Sequence, residues 1–162
     1  MNIENITMNP FTKIGQEWGL VSAGSADCCN TMTVSWGGVG VIWGKNVVFI
    51  FIRESRHTKK FIDEGETFSL AFLDESYRKA LQYCGSASGR DENKWEKSGL
   101  TPVTSNGIVY PKEANQVFLC RKMAAVPMEE SSFIDIELAG KFYADHDMHT
   151  MYVGEILDVL GE

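Results

Sequence analysis

Apolar and β-branched residues in short runs predict four strands in the first half of the chain. These strands lie at Trp18–Ser25, Asn30–Trp36, Val47–Ile52 and Thr67–Leu73. Each run has the length and composition that are typical of strands. Between them we expect turns at Gly37-Gly38, at Gly40 and at Gly44-Lys45-Asn46, because glycine adopts positive φ at low cost.

Helical spacing of apolar residues appears in two short segments between and after these strands. The segments are Thr58–Glu64 and Tyr77–Cys84, and each is followed directly by a glycine. A glycine in that position commonly ends a helix. A third short helical turn is expected to begin at an Asp91 cap and to reach Trp95.

The second half of the chain predicts two more strands and little helix. We expect a long strand at Gln116–Pro127, a short helix or turn at Ser132–Leu138 and a terminal strand at Met148–Leu160. Strands dominate, helices are short, and strands and helices do not alternate regularly. The pattern therefore predicts a mainly β fold, an antiparallel barrel with short appended helices, and not a doubly wound sheet. A length of 162 residues predicts a single domain over 1–162.

Composition and charge narrow the classes of partner. The formal net charge is −7, which argues against nucleic acid, since neutralising phosphates dominates such binding. No apolar run approaches the ~20 residues that a membrane span needs, so we expect no membrane partner. The first residues have neither a basic nor an apolar leader segment, and we expect a cytoplasmic protein.

The four cysteines do not have the spacing of a metal site. They are Cys28, Cys29, Cys84 and Cys120, with no C-x-x-C motif and no paired histidines, so we expect no bound metal. One interpretation is that all four are small, mostly buried apolar residues. The alternative is a redox-active thiol at Cys28 or Cys29.

One short segment gathers positive charge in this acidic chain. Within 53–60 lie five basic residues and two hydroxyl residues: Arg53, Ser55, Arg56, His57, Thr58, Lys59 and Lys60. The segment follows an apolar strand and starts a predicted helix, whose exposed amides and dipole favour an anion such as phosphate. The alternative is a solvated basic turn in which Ser55 is an ordinary N-cap.

The predicted strand at Asn30–Trp36 carries small polar side chains at alternate positions. Strand alternation places Asn30, Met32, Val34 and Trp36 on one face and Thr31, Thr33 and Ser35 on the other. A polar strand beside a cationic helix start suits a ligand with a flat ring at one end and a phosphate at the other. That combination indicates a flavin nucleotide. The alternative is an ordinary barrel strand with solvent-facing threonines and a tryptophan anchor.

Four motifs, in this order, resemble those of the flavin reductase-like family, and most of all its flavoredoxin type. They read N-x-M-T-x-S-W-G, R-x-S-x-x-T, C-G-S-x-S-G-R-D-x-x-K and M-Y-x-G-E-I. The resemblance runs from about Trp18 to Leu160. It implies a six-stranded antiparallel Greek-key split barrel that binds FMN non-covalently, usually as a homodimer with FMN near the subunit interface.

The resemblance also implies which residues contact the cofactor, although it assigns no catalytic residue. Those expected at the flavin ring and ribityl chain are Asn30, Thr33, Ser35 and Trp36. Those expected at the phosphate are Arg53, Ser55 and Thr58. Lys94 matches a lysine near the flavin, Arg90 is a further candidate, and His149 and Tyr152 are candidates for a residue that approaches from the last strand.

Three functions are compatible with these motifs. The first is an FMN-dependent oxidoreductase that takes hydride from NAD(P)H, and the second is an FMN-bound electron carrier that exchanges electrons with a redox protein and does not use NAD(P)H. The third is a flavin-free dimeric binding module, which the intact basic segment disfavours. The sequence leaves the first two open, because nicotinamide commonly stacks on a flavin without a motif of its own.

Overall fold

The computed structural model describes residues 2–161, so Met1 and Glu162 of the predicted domain lie outside the described residues. Its nine strands in that range are β1 Gly19–Gly24, β2 Cys29–Val34, β3 Gly37–Ile42, β4 Lys45–Arg53, β5 Thr67–Phe72, β6 Pro102–Ser105, β7 Ile108–Pro111, β8 Gln116–Pro127 and β9 His149–Gly161. The α-helical segments are α1 Pro10–Thr12, α2 His57–Glu64, α3 Arg78–Ser86, α4 Lys94–Ser98 and α5 Ile136–Phe142. A π-helical turn, Lys13–Glu17, continues α1, and 3₁₀ turns lie at Ile3–Asn5, Glu75–Tyr77 and Glu130–Ser132.

Seven strands form one antiparallel sheet, and the other two form a separate hairpin. The order in the large sheet is β2-β1-β5-β8-β9-β4-β3, and β6 pairs with β7. Val34 from one edge strand packs in the same buried cluster as Ile50 of β4, which lies next to the other edge. The sheet therefore curls around a common core. This confirms the mainly β antiparallel prediction, whereas the expected six strands were too few.

The last strand reaches across the sheet to the site described below. In β8 and β9 the pairing register shifts between Leu119 and Cys120 and again between Lys122 and Ala124. Such bulges bend a strand and re-aim its side chains. At its first residue β9 pairs with the end of β4, so that His149 lies opposite Arg53.

The glycine-rich segment predicted as turns forms strand β3 instead. Its partner is β4, and Phe49 of β4 lies against it. A Cβ on Gly37 would lie 2.5 Å from the Phe49 carbonyl oxygen, and one on Gly40 would lie 3.4 Å from the Phe49 ring. Gly37 therefore lets the start of β3 approach β4 closely, whereas a Cβ on Gly40 would make an ordinary contact. Only the turn at Trp43-Gly44, where both residues have positive φ, agrees with the expectation.

Helix ends also differ from the predictions. Asn93, not Asp91, caps α4, because its side-chain oxygen accepts from the Trp95 and Glu96 amides. The predicted helix or turn at Ser132–Leu138 divides into a 3₁₀ turn and α5, which Asp135 caps. Among residues 2–161, no helix is long and apolar enough to cross a membrane.

Candidate functional site

A cleft lies where the ends of β2, β4 and β9 meet the end of α3. Its volume is about 230 Å³. Five residues predicted from the sequence line it, and they are Thr33, Ser35, Trp36, Arg53 and His149. The structure thus brings together side chains from three segments that are far apart in the chain.

Aromatic rings form the apolar wall of this cleft. The ring centroids of Trp36 and His149 are 5.2 Å apart, and Phe51 meets His149 edge-on at 6.4 Å. Trp36 is 43% exposed, so part of its ring remains available for contact. Such a wall suits a planar heteroaromatic group. Phe51 was absent from the sequence-based set because nothing distinguishes it from the other apolar residues of its strand.

The same cleft also carries polar atoms close to a helix end. The Thr33 hydroxyl donates to the Leu81 carbonyl of α3. Gly85 follows on the same helix, and a Cβ there would lie 3.4 Å from the Thr33 Cβ. The end of α3 therefore packs directly against β2 at Thr33.

His149 is buried and uncharged at neutral pH. Burial, with a smaller contribution from Arg53, lowers its pKa to about 4. Its Nδ1 atom lies 2.8 Å from the hydroxyl of Tyr143, which is also buried. The other candidate on this strand, Tyr152, donates to the Asp63 carboxylate instead and lies in the hydrophobic core.

A second cleft, of about 750 Å³, lies on the other side of the start of α2. Its lining includes Asn30, His57, Arg90 and Lys94. Exposed acidic residues also line it, namely Asp27, Asp91, Glu92 and Glu96. Asn30, Arg90 and Lys94 belong to the set predicted from the sequence. The predicted contacts therefore divide between two adjacent clefts.

The cations around the start of α2 repel one another. Burial, and then Arg56, lowers the pKa of Lys94 to about 8. Burial, followed by Arg90, Lys60 and Lys94, lowers the pKa of His57. Like charges held this close indicate a site that an anion would stabilise.

Arg56 is the cation that the sequence-based set omitted. It lines the first cleft, and its guanidinium donates to the carbonyls of Gly85 at 2.8 Å and Cys84 at 3.0 Å. Lys94 donates to the same Cys84 carbonyl at 2.6 Å. Arg56 is also the N-cap of α2 and gives no side-chain cap, which leaves amides of the first turn without a capping acceptor. Its place in the basic segment was a signal for this role.

Arg53 and Ser55 hold a loop of this chain. Arg53 donates to the carbonyls of Phe142 and Asp147, and the Ser55 amide and hydroxyl both donate to the Asp147 carboxylate. Ser55 lines neither cleft. Its predicted contact with a phosphate, like that of Arg53, stays a prediction.

A hydrogen bond between Thr58 and Asn30 links the start of α2 to the second cleft. The Asn30 amide donates to the buried Thr58 hydroxyl oxygen at 2.9 Å. Thr58 belongs to the first turn of α2, and Asn30 lines the second cleft. Thr58 therefore helps to orient Asn30, and its direct phosphate contact stays a prediction.

The cysteines are all free thiols. Cys84 and Cys120 are buried, whereas Cys28 and Cys29 line the second cleft. Burial raises the pKa of Cys29, which leaves it mainly as the less reactive thiol at neutral pH.

The donor set fits a phosphorylated ligand with a planar ring. The rings of Trp36 and Phe51 provide an apolar wall for the ring system. On the other side of the α2 start, Lys94 and its neighbouring cations provide charge for a phosphate. The two clefts share the start of α2, since Arg56 lines one and His57 the other.

The chain is similar to known proteins both in sequence and in fold. Residues 11–162 match the family model described as "Flavin reductase like domain". Flavoredoxin from Methanosarcina acetivorans has a similar structure, with a TM-score of 0.69 and 22% identity over 98% of this chain and 76% of that one. For flavoredoxin of Desulfovibrio vulgaris (Miyazaki F) the TM-score is 0.70 and the identity 21%, over 100% of this chain and 76% of that one.

A curated protein of Archaeoglobus fulgidus, described as uncharacterized, is also similar. It is 30% identical over 132 residues, which are 80% of this chain. The chain spans 64% of the length of that relative. Because the family model covers nearly all of the sequence, the chain belongs to the family of flavin reductase-like domains.

Proposed function

We propose that the protein binds FMN and acts as an oxidoreductase that takes hydride from NAD(P)H. The observation that carries this proposal is the aromatic-walled cleft beside the cluster of Arg56, His57, Arg90 and Lys94. When bound, FMN would supply the hydride and electron chemistry at its ring. The protein would supply position, charge and protection from water.

The side chains take separate roles in this proposal. Trp36 and Phe51 would contact the ring, while Thr33 and Ser35 offer polar atoms to its edge and to the ribityl chain. Arg56 and Lys94, with the amides of the α2 start, would hold the phosphate. The phosphate end would be supported by the Asn30–Thr58 hydrogen bond and by Arg90, which donates to the Ser55 carbonyl. Arg53 holds the loop before β9.

A second function is an FMN-bound electron carrier that does not use NAD(P)H. The partially exposed Trp36 ring favours it, because the aromatic wall reaches the surface where a redox protein could approach. The similarity in structure to two flavoredoxins is consistent with this alternative.

Anaerobic titration of the purified protein distinguishes the two functions. We expect a yellow protein that releases FMN, and not FAD, on denaturation. Bleaching of the flavin by NADH or NADPH would support the oxidoreductase. Bleaching by dithionite alone would support the carrier, and a protein that takes up no added FMN would contradict both.

A separate experiment tests whether Arg56 binds the phosphate group of FMN. Arg56→Ala should weaken FMN binding about tenfold or more, since hydrogen bonds to charged groups contribute ~1.5–3 kcal/mol each. Riboflavin, which lacks the phosphate, should be affected much less. Arg53→Ala tests the predicted phosphate contact of Arg53, which should likewise make the loss larger for FMN than for riboflavin, whereas equal losses would mean that Arg53 acts only by holding the 142–147 loop. Equal losses for both flavins in Arg56→Ala would place the phosphate elsewhere.

We also propose a homodimer. β3 is an edge strand of the large sheet, and it and the following turn carry two exposed apolar side chains, Val41 at 72% and Trp43 at 58%. Beside it lies an apolar groove lined by Val39, Ile156 and Ile3, the last of these from the 3₁₀ turn at Ile3–Asn5. An exposed apolar edge of this kind is typical of a surface that pairs with another chain.

A further inference from the structure

Tyr143 lies immediately behind the cleft, in contact with His149. Its hydroxyl oxygen is 2.8 Å from His149 Nδ1, and the two ring planes meet at 86°. The tyrosine follows the last turn of α5, where its amide donates to the Ala139 carbonyl. Its ring packs against Phe133 at 5.4 Å and beneath the Arg53 guanidinium at 5.3 Å. Tyr143 is therefore held by its backbone and by two contacts to its ring.

The hydrogen bond has one favourable direction. If Nδ1 carried the proton, the buried phenol would need a second acceptor, and among residues 2–161 its oxygen has no hydrogen-bond partner besides His149. If the phenol donates, the phenol and Nδ1 are both satisfied, and the imidazole proton is on Nε2, which has no partner within the described residues and is free to meet a ligand. The charged groups that face His149 are Arg53 and Asp147, and neither contacts Nδ1.

We propose that Tyr143 is a positioning residue that holds His149 as the Nε2–H tautomer, so that His149 donates an uncharged hydrogen bond into the cleft. The donor would pair with an acceptor on a planar ligand, either a carbonyl oxygen or an unprotonated ring nitrogen. A flavin ring carries such acceptors at its pyrimidine edge, and a nicotinamide carries one in its carboxamide. The ligand contact rests on the proposed function, whereas the tautomer does not.

The tautomer is tested without any flavin. In protein labelled with ¹⁵N at histidine, long-range proton–nitrogen correlations at neutral pH report which nitrogen carries the proton. His149→Gln identifies the signals of His149. We expect a protonated Nε2 and a hydrogen-bonded, unprotonated Nδ1 in the unaltered protein. A proton on Nδ1 of that protein would overturn the proposal, whatever the variants do.

Two variants separate the hydroxyl from the packing around it. Tyr143→Phe should move the Nδ1 signal towards that of an acceptor without a hydrogen bond and should introduce a fraction of the Nδ1–H form. Phe133→Leu disturbs the neighbouring ring but keeps the hydroxyl, and it should leave both signals as they were. An unchanged Nδ1 signal in folded Tyr143→Phe would show that the hydroxyl does not set the tautomer.

Ligand titrations then test the contact. Adding FMN should shift the Nε2 signal of His149, and Tyr143→Phe should weaken FMN and riboflavin equally, by about three- to tenfold, as for one neutral hydrogen bond. If only NAD⁺, added to the FMN-loaded protein, shifts the signal, then the nicotinamide supplies the acceptor. No shift with either ligand would overturn the contact. Failure to take up FMN would refute the proposed function, while the signals of the flavin-free protein would still decide the role of Tyr143.

Discussion

At the level of single residues, burial sets the charge of the groups around the two clefts. His149 and Lys94 are both buried, yet they differ in charge at neutral pH. The pKa of His149 falls to about 4, so it is neutral, whereas Lys94, with a pKa of about 8, is still mostly protonated. The aromatic cleft therefore presents an uncharged donor, and the neighbouring cleft presents a cation that titrates just above neutral pH.

Lys94 should make FMN binding depend on pH. Above pH 8 the free protein loses the Lys94 proton, and an anionic ligand must then restore it, so the dissociation constant should rise with pH by up to about tenfold per unit. Titrations between pH 7 and 10 measure this rise, with riboflavin as the ligand that lacks a phosphate. Lys94→Gln should flatten the FMN profile, and Lys79→Gln, on an exposed position of α3, should not. A profile that is unchanged in Lys94→Gln would exclude Lys94 from the phosphate site.

At the level of secondary-structure elements, β3 depends on close approach more than on side-chain burial. Gly37 leaves room for the backbone oxygen of Phe49 on β4, whereas a Cβ on Gly38 or Gly40 would be in ordinary contact with the Phe49 ring. Glycine normally weakens a strand, because it has the largest backbone entropy to lose. At Gly37, the absence of a side chain is what permits the pairing.

Gly37→Ala should destabilise the protein by ~1–3 kcal/mol, a usual cost for forcing extra atoms into a packed region. The new methyl group would lie 2.5 Å from a backbone oxygen, which a side-chain rotation cannot relieve. Urea unfolding measures the change. Gly15→Ala is the matched control, since a Cβ there meets no atom within 4 Å, and it should be nearly neutral. Equal stabilities for the two variants would contradict this account of β3.

The sequence alone predicts most of the strands, and it also contains a signal for the β6–β7 hairpin. Asn106-Gly107, both with positive φ, connects β6 to β7, and that dipeptide is the strongest short-range signal for a hairpin. β3 could not be predicted in this way, because the reason for a glycine at position 37 is its close approach to Phe49, a residue of another strand. The site shows the same division. Thr33, Trp36 and Arg53 could be predicted because they belong to sequence motifs. The role of Arg56 could not, because it depends on contact with the end of α3, which lies about thirty residues further along the chain.

At the level of the whole molecule, an exposed apolar edge should decide the state of association. We expect sedimentation equilibrium to give about twice the chain mass of 18.1 kDa at micromolar concentration. Val41→Lys should shift the distribution to the single chain, because it places a charge on the β3 edge. Ile134→Lys, on an even more exposed apolar residue before α5, is the control. A mass near 18 kDa for the unaltered protein would exclude the dimer.

The carbonyls at the end of α3 have a consequence for how fast an anion is captured. They hold Arg56 and Lys94 in place but leave their positive charge, because a carbonyl has no net charge. A carboxylate partner would neutralise that charge. The molecule as a whole carries a formal charge of −7, so an approaching dianion is repelled at a distance and attracted only near the clefts. Added salt screens charges that are separated by more than about 8 Å at physiological ionic strength. Ionic strength should therefore act in two directions, speeding the encounter while it weakens the complex that forms.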